Sequence, residues 1–222
     1  MKLNTNTLKI IGIISMLVAH ITYLYINENT MLFYILTFIS RYTVVIFSYL
    51  LIVGFIKTKN IKKYIIRLLI FGVLSQPFFN YFLNNSFLVF KSLNIMFTML
   101  LTLIALWIQK NEKDKLLSFS YILCLYIISL LCDWGLIFLP MTFIFYINKD
   151  NKIKKNIYLS ILLSLYALIQ DKIGVYLGFF IQLFFINLVD LNKKNKLNLK
   201  YFFYMFYPLH FLILRLIYIL VY

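Results

Sequence analysis

The chain is short of charge, and of acidic residues above all. Only 13% of its 222 residues are charged, with 7 Asp and Glu against 22 Lys and Arg. A water-soluble domain needs roughly a quarter of its residues charged to wet its outside, so water is excluded as the main solvent. Glycine (6), proline (3) and cysteine (2) are scarce too. No Pro-, Gly- or Ser-rich stretch marks a linker and no internal repeat is evident, so residues 1–222 read as one domain. Cys124 and Cys132 share one apolar segment, where helical rise sets them about 12 Å apart, beyond disulfide reach. The Gly-rich phosphate loop, the CxxC and HExxH metal spacings and the Gly-x-Ser-x-Gly elbow are all missing. No metal is expected.

What the chain does have is apolar length: 63% of it is hydrophobic and the mean hydropathy is +0.89. A helix crosses a bilayer with about 20 apolar residues. Nine segments approach that length, at 8–26, 32–56, 61–83, 93–108, 116–131, 134–147, 157–169, 175–188 and 201–221. The expected fold is all-α, a polytopic membrane bundle of eight or nine transmembrane helices, the later short segments leaving the count open. The first segment lacks a small-residue cleavage site and is read as a span that stays.

The net charge of +15 does not mark a nucleic-acid binder, because the lysines sit in short clusters between apolar runs. Placing the N-terminus in the cytoplasm puts Lys2, Lys9 and the clusters around Lys57–Lys63, Lys110–Lys115, Lys149–Lys155 and Lys193–Lys200 inside, and only Lys91 and Lys172 outside. Cytoplasmic loops are biased in this way, so the N-terminus is expected inside and the C-terminus outside.

Ionisable groups within apolar spans are costly, at least about 2.5 to 3.5 kcal/mol each at the bilayer centre, which makes each a functional candidate. Counted at helical rise, His20 lies about 18 Å into the first span, slightly past mid-membrane, and His210 lies near the midplane of the last. Arg41 enters from the outer side, Arg215 sits in the outer half of its span, Arg67 is shallow on the cytoplasmic side, and Asp133 stands at an outer helix end beside Trp134 and Gly135. One cavity lined by His20, His210, Arg41 and Arg215, with Asp133 at the outer helix end, is the sharp reading, since a neutral imidazole, the form burial favours, is a competent general base beside a cation. The bland readings are cross-helix hydrogen bonds for the histidines, snorkelling for the arginines, a helix cap for Asp133 and an anchor for Lys9. Gln76-Pro77 is read as a kink or end of the third span that opens room for a ligand, with Gln76 counted among the binding residues. The aromatic run 201–207 is read as packing.

The same stretches resemble the TraX family of membrane proteins, known for N-terminal acetylation of conjugative F pilin. The resembling blocks are LKIIGIISMLVAHI (8–21), ISRYTVVIFSYLLIVGFIKTKNIKKYIIRLLIFGVLSQPF (39–78), NIMFTMLLTLIAL (94–106), CDWG (132–135) and KYFFYMFYPLHFLIL (200–214), the last the most distinctive. TraX proteins in turn resemble the type 3 membrane acyltransferases, in which ten residues separate a basic residue from a histidine in the first span, as they do Lys9 from His20. Where the family usually has Asp-His this chain has Ala19-His20, and Asp133 or Glu28 is the candidate to replace the missing acid.

The resemblance implies His20 as catalytic base, with Asp133 and His210 as further catalytic residues and Lys9, Arg41, Arg67 and Gln76 as substrate- or cofactor-binding ones. It implies an acetyl or short-chain acyl transferase of the bacterial cytoplasmic membrane, with acetyl-CoA as co-substrate. The acceptor would be the N-terminus of a small peptide such as a pilin, or an envelope glycan; Arg41 or His210 would steady the oxyanion. Direct transfer and an acetyl-histidine intermediate are both open. A membrane transporter and a non-catalytic assembly or immunity factor are the competing readings.

Overall fold

Asparagine is a weak residue inside a helix but a strong one just before it, where its amide oxygen accepts from the first turn. Asn4, Asn60, Asn94 and Asn151 each start a helix in this way, as do Thr30 and Asp114. The computed structural model describes residues 3–170, 178–190 and 200–221. Ten helices lie in these segments: α1 (Thr5–Tyr25), α2 (Met31–Ser40), α3 (Tyr42–Lys57), α4 (Ile61–Asn84), α5 (Ile95–Asn111), α6 (Lys115–Ser129), α7 (Gly135–Ile147), α8 (Lys152–Ile169), α9 (Gly178–Asn187) and α10 (Lys200–Val221). There is no strand among the described residues beyond two isolated bridges, Leu3 with Val189 and Leu93 with Cys132. Lys2, Lys172, the Lys193–Lys196 cluster and the start of the segment expected at 175–188 lie outside the described residues.

Helix α3 is apolar on every side, and a helix of that kind belongs in the middle of a bundle. Val44, Val45, Ile46, Leu50, Leu51, Ile52, Val53 and Phe55 are all buried along it. It packs against α1, α5, α7 and α9, while α10 closes the bundle against α4 and α1. Polarity is inverted at the periphery. On α6 the buried side chains are Ser118 and Ser129, whereas Leu116 is 75% and Leu131, just past its end, 66% exposed. Hydroxyls also fill the interior at Ser15, Ser48, Thr98, Thr102 and Thr142. Small polar residues between helices and large apolar ones outside are the arrangement that lipid imposes.

Among the described residues, four helical stretches are long and apolar enough to cross a membrane: Thr5–Tyr25, Met31–Lys57 (α2 and α3 together), Ile61–Asn84 and Phe202–Val221. Helices α5, α6 and α7 are apolar and shorter.

Two expectations change in detail. The segment expected at 32–56 is not one helix, because the chain breaks at Arg41, which ends α2 and starts α3. Ser15 of α1 makes this break tolerable: its hydroxyl is shared between the Ile39 carbonyl (3.0 Å) and the Ser40 carbonyl (3.1 Å) and accepts from Thr43 Oγ1 (3.0 Å). The backbone acceptors that a helix end exposes are thus satisfied. Pro77 does not end its span, since α4 runs on past it to Asn84.

Candidate functional site

On α1, positions 5, 9, 13, 16 and 20 fall on one stripe of a helix with 3.6 residues per turn. All five side chains, Thr5, Lys9, Ile13, Met16 and His20, line a single cavity of about 390 Å³ between α1, α3, α4, α5 and α10. That volume lies within the usual range for a small-molecule site.

One end of the cavity is cationic. The first two turns of α1 and α4, the start of α10 and the last turn of α3 supply its lining, bringing together Lys9, Lys57, Arg67, Tyr64 and Phe203. Lys9 Nζ lies 5.1 Å from the centre of the Phe203 ring, and the Arg67 guanidinium 5.5 Å from that of Tyr64. Aromatic faces hold the cations by their negative ring charge. Arg67 Nε is buried with no hydrogen-bond partner among the described residues. Gly54 lets Tyr64 come this close, because a Cβ there would stand 2.9 Å from the tyrosine oxygen.

The other end holds Arg41, Asp133 and Trp134. The CDWG turn is clamped in place by the α4–α5 connection and by α5: Leu93 N donates to the Leu131 carbonyl (3.0 Å), Asp133 N to the Leu93 carbonyl (2.7 Å), and Thr98 Oγ1 of α5 to the Asp133 carbonyl (2.6 Å). Trp134 is left-handed (φ 58°), and Gly135 follows so closely on α6 that a Cβ would lie 1.6 Å from the Ser129 carbonyl oxygen. The Arg41 guanidinium sits 5.3 Å from the centre of the Trp134 ring. Burial pushes the Asp133 carboxyl up to about 7, opposed by the Trp134 amide and the Arg41 guanidinium.

The His20 ring lines the cavity as well, and its Nδ1 lies 3.1 Å from Nε2 of His210. His210 Nδ1 is 3.1 Å from the Phe206 carbonyl, one turn back on α10, and its ring stacks on Phe206 (5.4 Å, 3°). Phe82 and Phe211 pack edge-on against His20.

Of the eight residues singled out in the sequence, Lys9, His20, Arg41, Arg67 and Asp133 line this one cavity and His210 stands directly behind it, whereas Arg215, also expected there, lies away from it with its Nε 3.4 Å from Asn85 Oδ1. Gln76 lies apart. Its side chain donates to Asn80 Oδ1 (2.8 Å) and the Ser92 carbonyl (2.9 Å) and accepts from Asn94 N (2.9 Å), so it ties α4 to the connection before α5. The partner of His20 is His210, not Asp133 or Glu28. Sequence reading missed Lys57, Tyr64 and Trp134, and took 201–207 for packing, whereas Phe203, Tyr204 and Tyr207 line the cavity. The spacing of 203, 207 and 210 on one helical face is the signal that places them there.

A family model described as TraX protein matches residues 4–218. The chain belongs to the TraX family. Among curated proteins, this TraX chain is 28% identical over 225 residues to the probable fimbrial assembly protein FimC, serogroup H1, of Dichelobacter nodosus, covering 93% of this chain and 92% of that one. No solved structure matches it. Every block by which the sequence resembled TraX proteins lies within the matched residues, and those blocks supply Lys9, His20, Arg41, Arg67, Asp133 and His210.

Proposed function

We propose that this TraX protein is an acetyl (or short-chain acyl) transferase of the bacterial cytoplasmic membrane, acting in the assembly of a pilus or fimbria. In this reading eight or nine spans hold it in the bilayer with the N-terminus inside, and acetyl-CoA enters from the cytoplasm. The observation that carries the reading is one continuous cavity joining a cationic mouth at Lys9, Lys57 and Arg67 to the imidazole of His20. About 16 Å of helix separates Lys9 from His20, which lets the phosphates of CoA stay at the mouth while the pantetheine arm carries the thioester inward.

The acceptor nitrogen, the N-terminal amine of a pilin-like peptide, attacks the thioester carbonyl carbon as His20 takes its proton. An N–C bond forms, the C–S bond breaks, and the sulfur of CoA leaves with the proton that His20 returns. Arg41 stabilises the oxyanion in this reading. An envelope glycan hydroxyl is the alternative acceptor.

Thermal stabilisation of the detergent-purified protein tests the first step without knowledge of the acceptor. Acetyl-CoA at about 100 times its dissociation constant adds roughly 2.7 kcal/mol of apparent stability. A shift with acetyl-CoA and CoA but not ATP supports the reading, and no shift at millimolar ligand sinks it. A non-catalytic assembly factor is the second reading, favoured by the assembly role in the name of the Dichelobacter relative and by Ala19 in place of an acid. Pilus assembly that survives His20→Gln but not deletion of the gene selects it.

A further inference from the structure

A carbonyl oxygen can only accept, so the 3.1 Å contact of His210 Nδ1 with the Phe206 carbonyl places a proton on His210 Nδ1. Neither imidazole has a carboxylate partner among the described residues, and aromatic rings enclose the pair at Phe82, Phe206 and Phe211, surroundings that favour two neutral rings. A neutral His210 protonated on Nδ1 has a lone pair on Nε2. The 3.1 Å contact between that nitrogen and His20 Nδ1 then requires His20 to donate, so the single proton of His20 sits on Nδ1 as well.

We infer that the Phe206 carbonyl and His210 form a relay that fixes His20 in its Nδ1–H tautomer, leaving Nε2 as the basic nitrogen of a ring that lines the cavity. His210 is a positioning residue in this arrangement, and it takes the place of the acid that Ala19 does not supply. It does not hold an oxyanion: both of its nitrogens are engaged, it is 3% exposed, and it is not part of the cavity wall. The catalytic consequence rests on the transferase reading. When His20 Nε2 takes the proton of the attacking amine, the ring becomes a cation with N–H on both nitrogens, and its Nδ1–H bond to the His210 lone pair becomes charge-assisted. When the departing CoA sulfur recovers that proton from Nε2, the original tautomer is restored. No proton passes through His210.

The chain contains only two histidines, so protein labelled with 15N-histidine gives ring signals from these two residues alone. The expected spectrum of the intact protein in lipid nanodiscs shows both rings neutral with the proton on Nδ1. In His210→Leu, His20 loses that single tautomer, and turnover with acetyl-CoA and a peptide amine falls about 10- to 100-fold, while KM for acetyl-CoA is unchanged. His210→Gln, whose side-chain oxygen offers an acceptor near the former Nε2, keeps the His20 tautomer and recovers most of the turnover. A wild-type spectrum with the His20 proton on Nε2 overturns the relay, as does equal turnover in the Leu and Gln variants. If the tautomers are as expected but the wild type transfers no acetyl group, the relay stands and the transferase reading falls.

Discussion

Removing Arg67 should move stability and ligand affinity in opposite directions. Its Nε is buried at the cavity mouth without a hydrogen-bond partner among the described residues, and an unsatisfied buried donor costs about 1 to 3 kcal/mol. Replacement by methionine keeps the apolar stem that runs past Tyr64 and removes the orphaned donor. The ligand-free Arg67→Met protein should therefore gain about 1 kcal/mol or more, which for a chain of this size raises Tm by about 2 to 4 °C per kcal/mol. In the proposed function the same guanidinium binds a CoA phosphate, a charge-assisted contact worth about 1.5 to 3 kcal/mol, so Kd for CoA should rise about 10- to 150-fold. Both numbers come from one thermal titration in detergent, melting wild type and variant over a range of CoA concentrations at fixed salt. His20→Gln is the control, with affinity within about twofold of wild type because it leaves the mouth intact. An Arg67→Met protein that melts higher and binds CoA as tightly as wild type would refute the assignment of Arg67 to the phosphates. One that melts lower without ligand would refute the claim that its Nε is unsatisfied.

Other outcomes follow from the deep end of the cavity and the helix junctions. Gly135→Ala forces a Cβ to 1.6 Å from the Ser129 carbonyl; a loss above about 4 kcal/mol is expected, visible as failure to give a monodisperse purified protein, and a normal melt would count against the geometry of this turn. Ser15→Ala strips the hydroxyl from the half-buried Ile39 and buried Ser40 carbonyls at the α2–α3 break and should cost about 1 to 3 kcal/mol; a melt unchanged within 1 °C would mean that the break is held otherwise. The Asp133 carboxyl titrates near 7 in the folded protein and near 4 unfolded. Its contribution to stability is fully present below about pH 4 and is lost as pH rises to about 7. Asp133→Asn should flatten that part of the profile, and parallel curves for wild type and variant between pH 4 and 8 would contradict it.

The cavity's α1 wall was legible in the sequence, because Lys9 and His20 recur on the stripe that Ile13 and Met16 complete. So was the meeting of His20 with His210, at least in depth, since both count to the middle of their spans. Their pairing was not, because 190 positions separate them and nothing local encodes which faces of α1 and α10 touch. The break at Arg41 escaped notice for a different reason. Neither Gly nor Pro marks it, and the hydroxyl that satisfies it comes from Ser15 on another helix. Gln76 misled because a polar residue beside a proline in an apolar run looks the same whether it faces a ligand or braces a loop, and here Ser92 and Asn94 take up its bonds. Lys57 was hidden by its neighbours, one lysine among several in a cluster that charge bias alone explains.

The inverted polarity of α6 changes what counts as a conservative substitution. At Leu116 or Leu131, which face outward, exchanging one aliphatic side chain for another alters almost no protein contact, and even alanine leaves the fold intact. At Ser129 the hydroxyl donates to the Tyr126 carbonyl (2.7 Å) and contacts that of Gly135 (3.2 Å) in a space with no exposure at all, so a leucine that hydropathy alone would welcome there wedges α6 away from α7. Tolerance to mutation in this chain therefore runs with side-chain size rather than with polarity, and a library screened for function should accept change at its greasy exterior and reject it at its serines.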